Sequence, residues 1–109
     1  MTQRTWAGLL PCRDCQGIDT RLVLRTERGK RSYLLTENYL GGSGQTSFNR
    51  AGTWTELRRK SGEEAQVTYV LDPDQAAQGF ALQPDGALEM LGVDGKTPDD
   101  ALAYRLQRL

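Results

Sequence analysis

Across residues 18–27, apolar and polar side chains alternate with period two. Ile18, Thr20, Leu22 and Leu24 point one way; Asp19, Arg21, Arg25 and Glu27 point the other. That period predicts a strand with one dry face and one wet face. The charged side reads most simply as solvated surface. Arg28-Gly29-Lys30 supplies a turn, because glycine takes positive φ freely, and the return strand covers residues 31–39. The rhythm recurs along the chain. Residues 49–57 place Trp54 on one face and Thr53 and Thr55 on the other, residues 58–64 turn around Gly62, and Val67, Tyr69 and Leu71 share a side of 66–71. Residues 80–83 and 87–91 flank Pro84-Asp85-Gly86 as a hairpin. A short apolar run at 5–10 is stopped by Pro11, which cannot donate to a ladder. Turn signals about every 8–12 residues predict an all-β fold of about eight strands, a sandwich or a small up-and-down antiparallel barrel.

Three stretches break this rhythm. Residues 40–45 are rich in Gly and Ser and are expected to form a loop. Asp72-Pro73-Asp74-Gln75 has the order of a helix start, with Asp72 as N-cap and Pro73 at the first helical position. Gly79 would end that helix after about two turns. Thr97-Pro98-Asp99-Asp100 is a second helix-start signal, and Leu102, Leu106 and Leu109 fit a helical face. Leu102, Tyr104 and Leu106 also fit strand alternation, so residues 97–109 have both readings open, with local propensity alone slightly favouring helix. Adjacent acids such as Asp99 and Asp100 diverge in either conformation and do not form a catalytic dyad.

At 109 residues the chain is expected to be one domain, 1–109, able to bury a single modest core. Lys+Arg and Asp+Glu balance at 14 each, and the isoelectric point is near 6.2. A nucleic-acid binder usually shows a basic patch and an isoelectric point above about 9, so no nucleic-acid partner is expected. Arg58-Arg59-Lys60 is locally basic but is followed by Glu63-Glu64; it reads as a solvated hairpin tip before it reads as a phosphate contact. No apolar run approaches the ~20 residues of a membrane-spanning helix. No secretory signal or lipidation cysteine lies near Met1. Taken literally that implies a cytosolic chain; a mature domain expressed without its leader is an equal reading. The sequence has no His, which removes Ser-His-Asp and Cys-His catalysis and the commonest metal ligand.

The chemistry that remains is Cys12-Arg13-Asp14-Cys15, between the first two expected strands. Structural zinc needs four ligands, and two thiols without imidazole supply half of them unless Asp14, another acid or a second chain contributes. An iron–sulfur cluster needs four thiolates and falls short likewise. Thioredoxin-like catalysis places the pair at a helix N-terminus, which lowers the first thiol's pKa. Here Gly17 and a strand come next instead, and Asp14 offsets Arg13. Two close thiolates do suit a soft ion such as Cu(I), with Met90 as an additional thioether, although a Met in an apolar strand is more often core filler. The remaining reading is a local Cys12–Cys15 disulfide that staples a loop, with a small entropic effect because its ring is short.

The frame around the pair resembles a known family. Leu10-Pro11-Cys12-x-x-Cys15-x-Gly17-Ile18-x-Thr20-x-Leu22-x-Leu24 is similar to the opening of the N-terminal domain of NlpE-type envelope lipoproteins. Tyr39-x-Gly41, Gly52-x-Trp54, Leu88-Glu89-Met90-Leu91, Asp94-Gly95 and Tyr104-x-Leu106 extend the likeness over nearly the whole chain. The resemblance implies a lipocalin-like barrel on the periplasmic side of the outer membrane, held there by a lipid anchor, with Cys12 and Cys15 as the metal or redox site. It also implies a non-enzymatic role in copper binding and tolerance, surface sensing or the envelope stress response, with envelope proteins as partners and copper as the one cofactor in view. It favours a strand over residues 97–109. The fuller family members carry a second, C-terminal β-domain, and these 109 residues are expected to correspond to the N-terminal one alone. A lipocalin-like barrel also raises a second reading, a small apolar ligand held among Trp6, Tyr33, Trp54 and Phe80. Small barrels are more often packed by such rings than hollow. A third reading is a protein-interaction module using the 41–45 loop or a sheet edge.

Overall fold

The computed structural model describes residues 1–12, 15–41, 47–61, 64–92, 98 and 100–109. The strands are β1 (Thr2–Leu10), β2 (Gly17–Glu27), β3 (Lys30–Leu40), β4 (Ser47–Ser61), β5 (Glu64–Leu71), β6 (Gln78–Leu82), β7 (Leu88–Met90) and β8 (Arg105–Arg108), with a 3-10 turn at Ala101–Tyr104. They pair antiparallel in chain order, and β8 returns to β1 to close a barrel. Of the sandwich and barrel that the alternation leaves open, the fold observed is the all-β, eight-stranded antiparallel barrel that the resemblance implies. Closure rests on Trp6 opposite Arg108 and Ala7 opposite Gln107, and it removes the sheet edges that would otherwise invite further pairing.

Register carries the alternation inward. Leu22 lies opposite both Trp6 of β1 and Leu35 of β3, and all three are buried. Tyr69 pairs with Phe80, and Trp54 with Leu71. The resulting core includes Trp6, Leu22, Leu24, Leu35, Tyr69 and Phe80. The outward side of β2, at Asp19, Arg21, Arg25 and Glu27, is exposed. This dry-inside, wet-outside arrangement is the reverse of a barrel that faces lipid.

The two ends of the barrel differ. The β2–β3, β4–β5 and β6–β7 connections, together with Thr2 and Leu109, lie at one end, here the turn end. The β1–β2 segment with the cysteines, the β3–β4 and β5–β6 connections and the run from β7 to β8 lie at the other, the loop end.

Where the rhythm breaks, the structure departs from local expectation. Residues 72–77 form turns and bends, not a helix. Asp72 sits at φ 49°, far from the extended backbone an N-cap adopts, and its carboxylate accepts the Tyr33 hydroxyl at 2.6 Å instead of capping backbone amides. Residues 100–109 split: one 3-10 turn, in which the Ala103 amide donates to the Asp100 carbonyl, and then strand β8. Leu106 is fully buried whereas Leu102 is exposed, so the strand pattern holds only at the end. Strand β4 also runs further than the expected 49–57. Its first half pairs with β3 and its second with β5, so Arg58-Arg59-Lys60 lies in the strand, not in the turn. Within the 40–45 stretch, Leu40 ends β3. Residues 42–46 lie outside the described residues, as do Arg13, Asp14, Gly62, Glu63, Asp94, Gly95, Thr97 and Asp99.

Asp72 also links the Tyr33 ring to the β5–β6 connection. The Tyr33 pKa is raised above its ordinary 10.0, first by burial and then because the phenol donates to the Asp72 carboxylate; Arg50 pulls it back down. The Arg50 Nε donates to the phenol oxygen at 3.0 Å. As pH rises, the unfolded chain gives up this proton first. The stabilisation is therefore whole below about pH 10 and is lost as pH climbs through the folded value. Tyr33→Phe is expected to flatten the fall in urea-unfolding free energy between about pH 9 and 11 relative to the parent. Parallel pH profiles would show that this phenol does not titrate differently on folding.

Candidate functional site

The loop that carries the cysteines is set by the strands on either side. Pro11 ends β1 immediately after the buried Leu10, and β2 starts at Gly17 opposite Leu40. One residue earlier, the Gln16 amide already donates to the Leu40 carbonyl at 2.9 Å, so the loop is tied to β3 as well as to its own hairpin. The Gln16 side chain lies over Gly41. Leu9 lies over Gly17: a Cβ there would come within 2.7 Å of its Cδ1. Glycine in the Cys-x-Gly-Ile frame thus follows from close packing by a neighbouring strand.

Cys12 and Cys15 are joined as a disulfide with their Cα atoms 5.4 Å apart. Both are half-buried, between exposed Pro11 and exposed Gln16. The Cys15 Sγ lies 3.3 Å from the Gly17 carbonyl oxygen, a contact rather than a hydrogen bond, because a disulfide sulfur has no proton to donate. The pair leads into strand β2, so among the described residues no helix terminus adjoins it to depress a thiol pKa. Among the described residues no group of three or more Cys, Asp or Glu side chains is gathered for a metal. A metal here would draw two sulfur donors from the loop, the donor type that suits a soft ion.

Met90, the candidate thioether, is partly buried against the core, and its sulfur accepts a hydrogen bond from Gln78 Nε2 at 3.1 Å. The rings considered as cavity lining fill the barrel instead. Trp6, Tyr33, Trp54 and Phe80 are all at least 95% buried. The Trp6 indole donates to the Gly86 carbonyl at 2.8 Å and the Trp54 indole to the Arg25 carbonyl at 3.3 Å. A concavity of about 320 Å³ is lined by Ala51, Gly52, Thr53 and residues 72–75 and by none of these rings, although the Tyr33 hydroxyl reaches Asp72 at its edge.

Three contacts escape sequence reasoning. The alternation places Tyr69 on a face but does not mark it as the hub of the core: its ring centroid is 6.0 Å from Trp6 and 5.5 Å from Trp54, and its hydroxyl accepts from Arg4 at 2.9 Å. The Tyr33–Asp72 bond spans 39 residues. Glu89, buried on β7, pairs with Arg105 of β8, and that carboxylate pushes the Arg105 pKa further up. The local signal for this last pair is only a charge inside an apolar run.

Residues 6–100 match the family model of the NlpE N-terminal domain. The chain is 30% identical over 105 residues to Lipoprotein NlpE of Escherichia coli (strain K12), an alignment that covers 95% of this chain and 40% of that relative. The chain thus spans well under half the length of the curated relative it matches. No solved structure matches it. With the Leu-Pro-Cys-x-x-Cys-x-Gly-Ile frame placed on the β1–β2 loop of a closed eight-stranded barrel, the chain belongs to the NlpE N-terminal domain family.

Proposed function

We propose that this domain works at the cell envelope, on the periplasmic side of the outer membrane, as a non-enzymatic thiol–disulfide module whose reduced Cys12–Cys15 pair binds Cu(I). The observation that carries this reading is the pair itself: two half-buried sulfurs on a tied-down loop at the barrel's loop end, in the family's sequence frame. In the oxidised form the pair is a staple. Reduction takes two electrons and two protons from a thiol reductant, which leaves as its own disulfide. Cu(I) then replaces the thiol protons, because the thiolate is the ligand. Copper and oxidant thus compete for the same two sulfurs, and the occupied state reports on both in copper tolerance or envelope stress. That the pair leads into strand β2, where thiol–disulfide enzymes place it at a helix N-terminus that activates the first thiol, supports binding and reporting over turnover.

The test is Cu(I) titration of the reduced protein against a competing chelator. The parent is expected to hold one ion, and Cys12→Ser/Cys15→Ser to weaken it by about a hundredfold or more, because serine oxygens are hard donors. Equal affinity in the two proteins would overturn the assignment.

A further inference from the structure

The chain is neutral in total, with 14 cations and 14 anions, but the barrel separates them. Arg25, Arg28, Lys30, Arg31, Arg59 and Arg108 are exposed at or beside the turn end. Arg58 is exposed there too and pairs with Glu56 at 2.8 Å. Arg4 crosses the end of the barrel to the Tyr69 hydroxyl. The acidic residues described at this end are Glu27, Glu56, Asp85 and Glu64, which opens β5 opposite Ser61, fewer than the cations there, and Asp85 faces Arg105 at 3.6 Å. At the loop end the balance reverses, with Asp19, Glu37, Asp72, Asp74 and Asp100 against Arg50, which pairs with Asp72, and Arg105, which pairs with Glu89.

We propose that the turn end is a docking face for an anionic lipid bilayer surface. The argument is charge complementarity with a particular shape. The cations sit at the β2–β3 turn, along the last stretch of β4 and around the end of a closed barrel, so they present a ring to a plane and not a groove to a strand. Several guanidinium groups are held in place by aromatic faces: Arg31 lies 4.8 Å from the Trp54 centroid and Arg108 5.3 Å from that of Trp6. Exposed apolar side chains are interleaved with them, with Met1 79%, Leu57 44% and Leu109 65% accessible. Cations mixed with apolar groups on one face are the pattern of surfaces that lie at a headgroup layer. A single-stranded nucleic acid would instead use exposed aromatic platforms, and both tryptophans here are buried. Docked this way, the barrel stands on its turn end and holds Cys12 and Cys15 on the side away from the bilayer.

The test is co-sedimentation or flotation of the intact chain with vesicles of phosphatidylglycerol and phosphatidylcholine, against vesicles of phosphatidylcholine alone. Binding is expected only with the anionic lipid, rising with its fraction and falling steeply as salt shortens the Debye length to about 8–10 Å. Arg28→Gln/Lys30→Gln/Arg59→Gln removes charges at the two hairpins and is expected to weaken partitioning about a hundredfold, at about fivefold per charge. Arg21→Gln, mid-way along the barrel wall, is expected to change it less than about twofold. Absence of binding at low salt, equal binding to neutral vesicles, or equal losses in the two variants would overturn the proposal. So would tighter binding to duplex DNA than to anionic vesicles. The parent's dependence on lipid charge and salt decides the matter even if the triple variant fails to fold.

Discussion

Tyr69→Ala is expected to destabilise the barrel by about 4 kcal/mol, in the range for removing a large buried aromatic ring. Tyr69 is 2% exposed and sits between the two tryptophans, edge-on to Trp54 at 84° and tilted against Trp6 at 50°. Deleting the ring removes both aromatic contacts at once, and the indoles cannot collapse into the gap. Each is fixed by its own hydrogen bond, Trp6 to Gly86 and Trp54 to Arg25, so the cavity stays open and the cost stays near the top of the range. Against a typical domain stability of about 5–15 kcal/mol, this leaves the barrel marginal, with a melting temperature lower by about 20 °C.

Tyr69→Phe separates the ring from its hydroxyl. The ring contacts survive, as does the cation–π approach of Arg4 at 5.1 Å. Only the Arg4–Tyr69 hydrogen bond is lost, and Arg4 is half-exposed, so water replaces the acceptor. The expected cost is about 1 kcal/mol. The check is urea unfolding of both variants with tryptophan fluorescence. A loss of less than about 2 kcal/mol in the Ala variant would mean that the core relaxes around the gap and that Tyr69 is not its hub.

The strands are legible in the sequence because burial on one face forces period two, and the run from Ile18 to Leu24 obeys it with every inward residue in the barrel. The Cys12–Cys15 loop is legible for a similar local reason: Pro11 must end β1, and a strand pattern must restart by Ile18. Long-range contacts are not legible in this way, and Tyr69 as hub is one of them. Asp72-Pro73-Asp74 has the composition of a helix start, but the carboxylate that would cap a helix is taken by Tyr33, 39 residues away. Arg58-Arg59-Lys60 has the composition of a turn, but β5 offers the second half of β4 a partner all the way to Ser61. In both cases a tertiary contact overrides a local preference worth only a few tenths of a kcal/mol per residue. The segregation of charge between the two ends has the same origin: a neutral composition says nothing about which connections share an end, and only the topology decides that.

Gly52→Ala is the second large effect, and it tests the Tyr33–Asp72 contact directly. A Cβ on Gly52 would overlap Asp72 Oδ1 and stand 3.0 Å from Tyr33 Cε1. Neither neighbour is free to give. The carboxylate is held by the Tyr33 hydroxyl at 2.6 Å, and the Asp72 amide donates to the Thr53 carbonyl at 2.9 Å. The methyl group therefore displaces the carboxylate, which adds loss of a charge-assisted hydrogen bond to the overpacking. Overpacking costs about 1–3 kcal/mol and the bond about 1.5–3, so a total of about 3 kcal/mol is expected. Asp72→Gly removes the clashing group at a backbone φ of 49°, which glycine adopts without strain. In the double variant only the 3.0 Å approach to Tyr33 Cε1 remains, so Gly52→Ala/Asp72→Gly is expected to be less stable than Asp72→Gly alone by about 1 kcal/mol at most, a non-additivity of about 2 kcal/mol. The glycine of the Gly-x-Trp signature would then be explained by the carboxylate it accommodates. Additive losses would place the cost of Gly52→Ala in the β4 backbone instead. The thiol reactivity of reduced Cys12 and Cys15 is expected to stay unchanged throughout the series, because their loop is tied to β1, β2 and β3 through Gln16 and Leu40 and not to the β4–β5 side of the barrel.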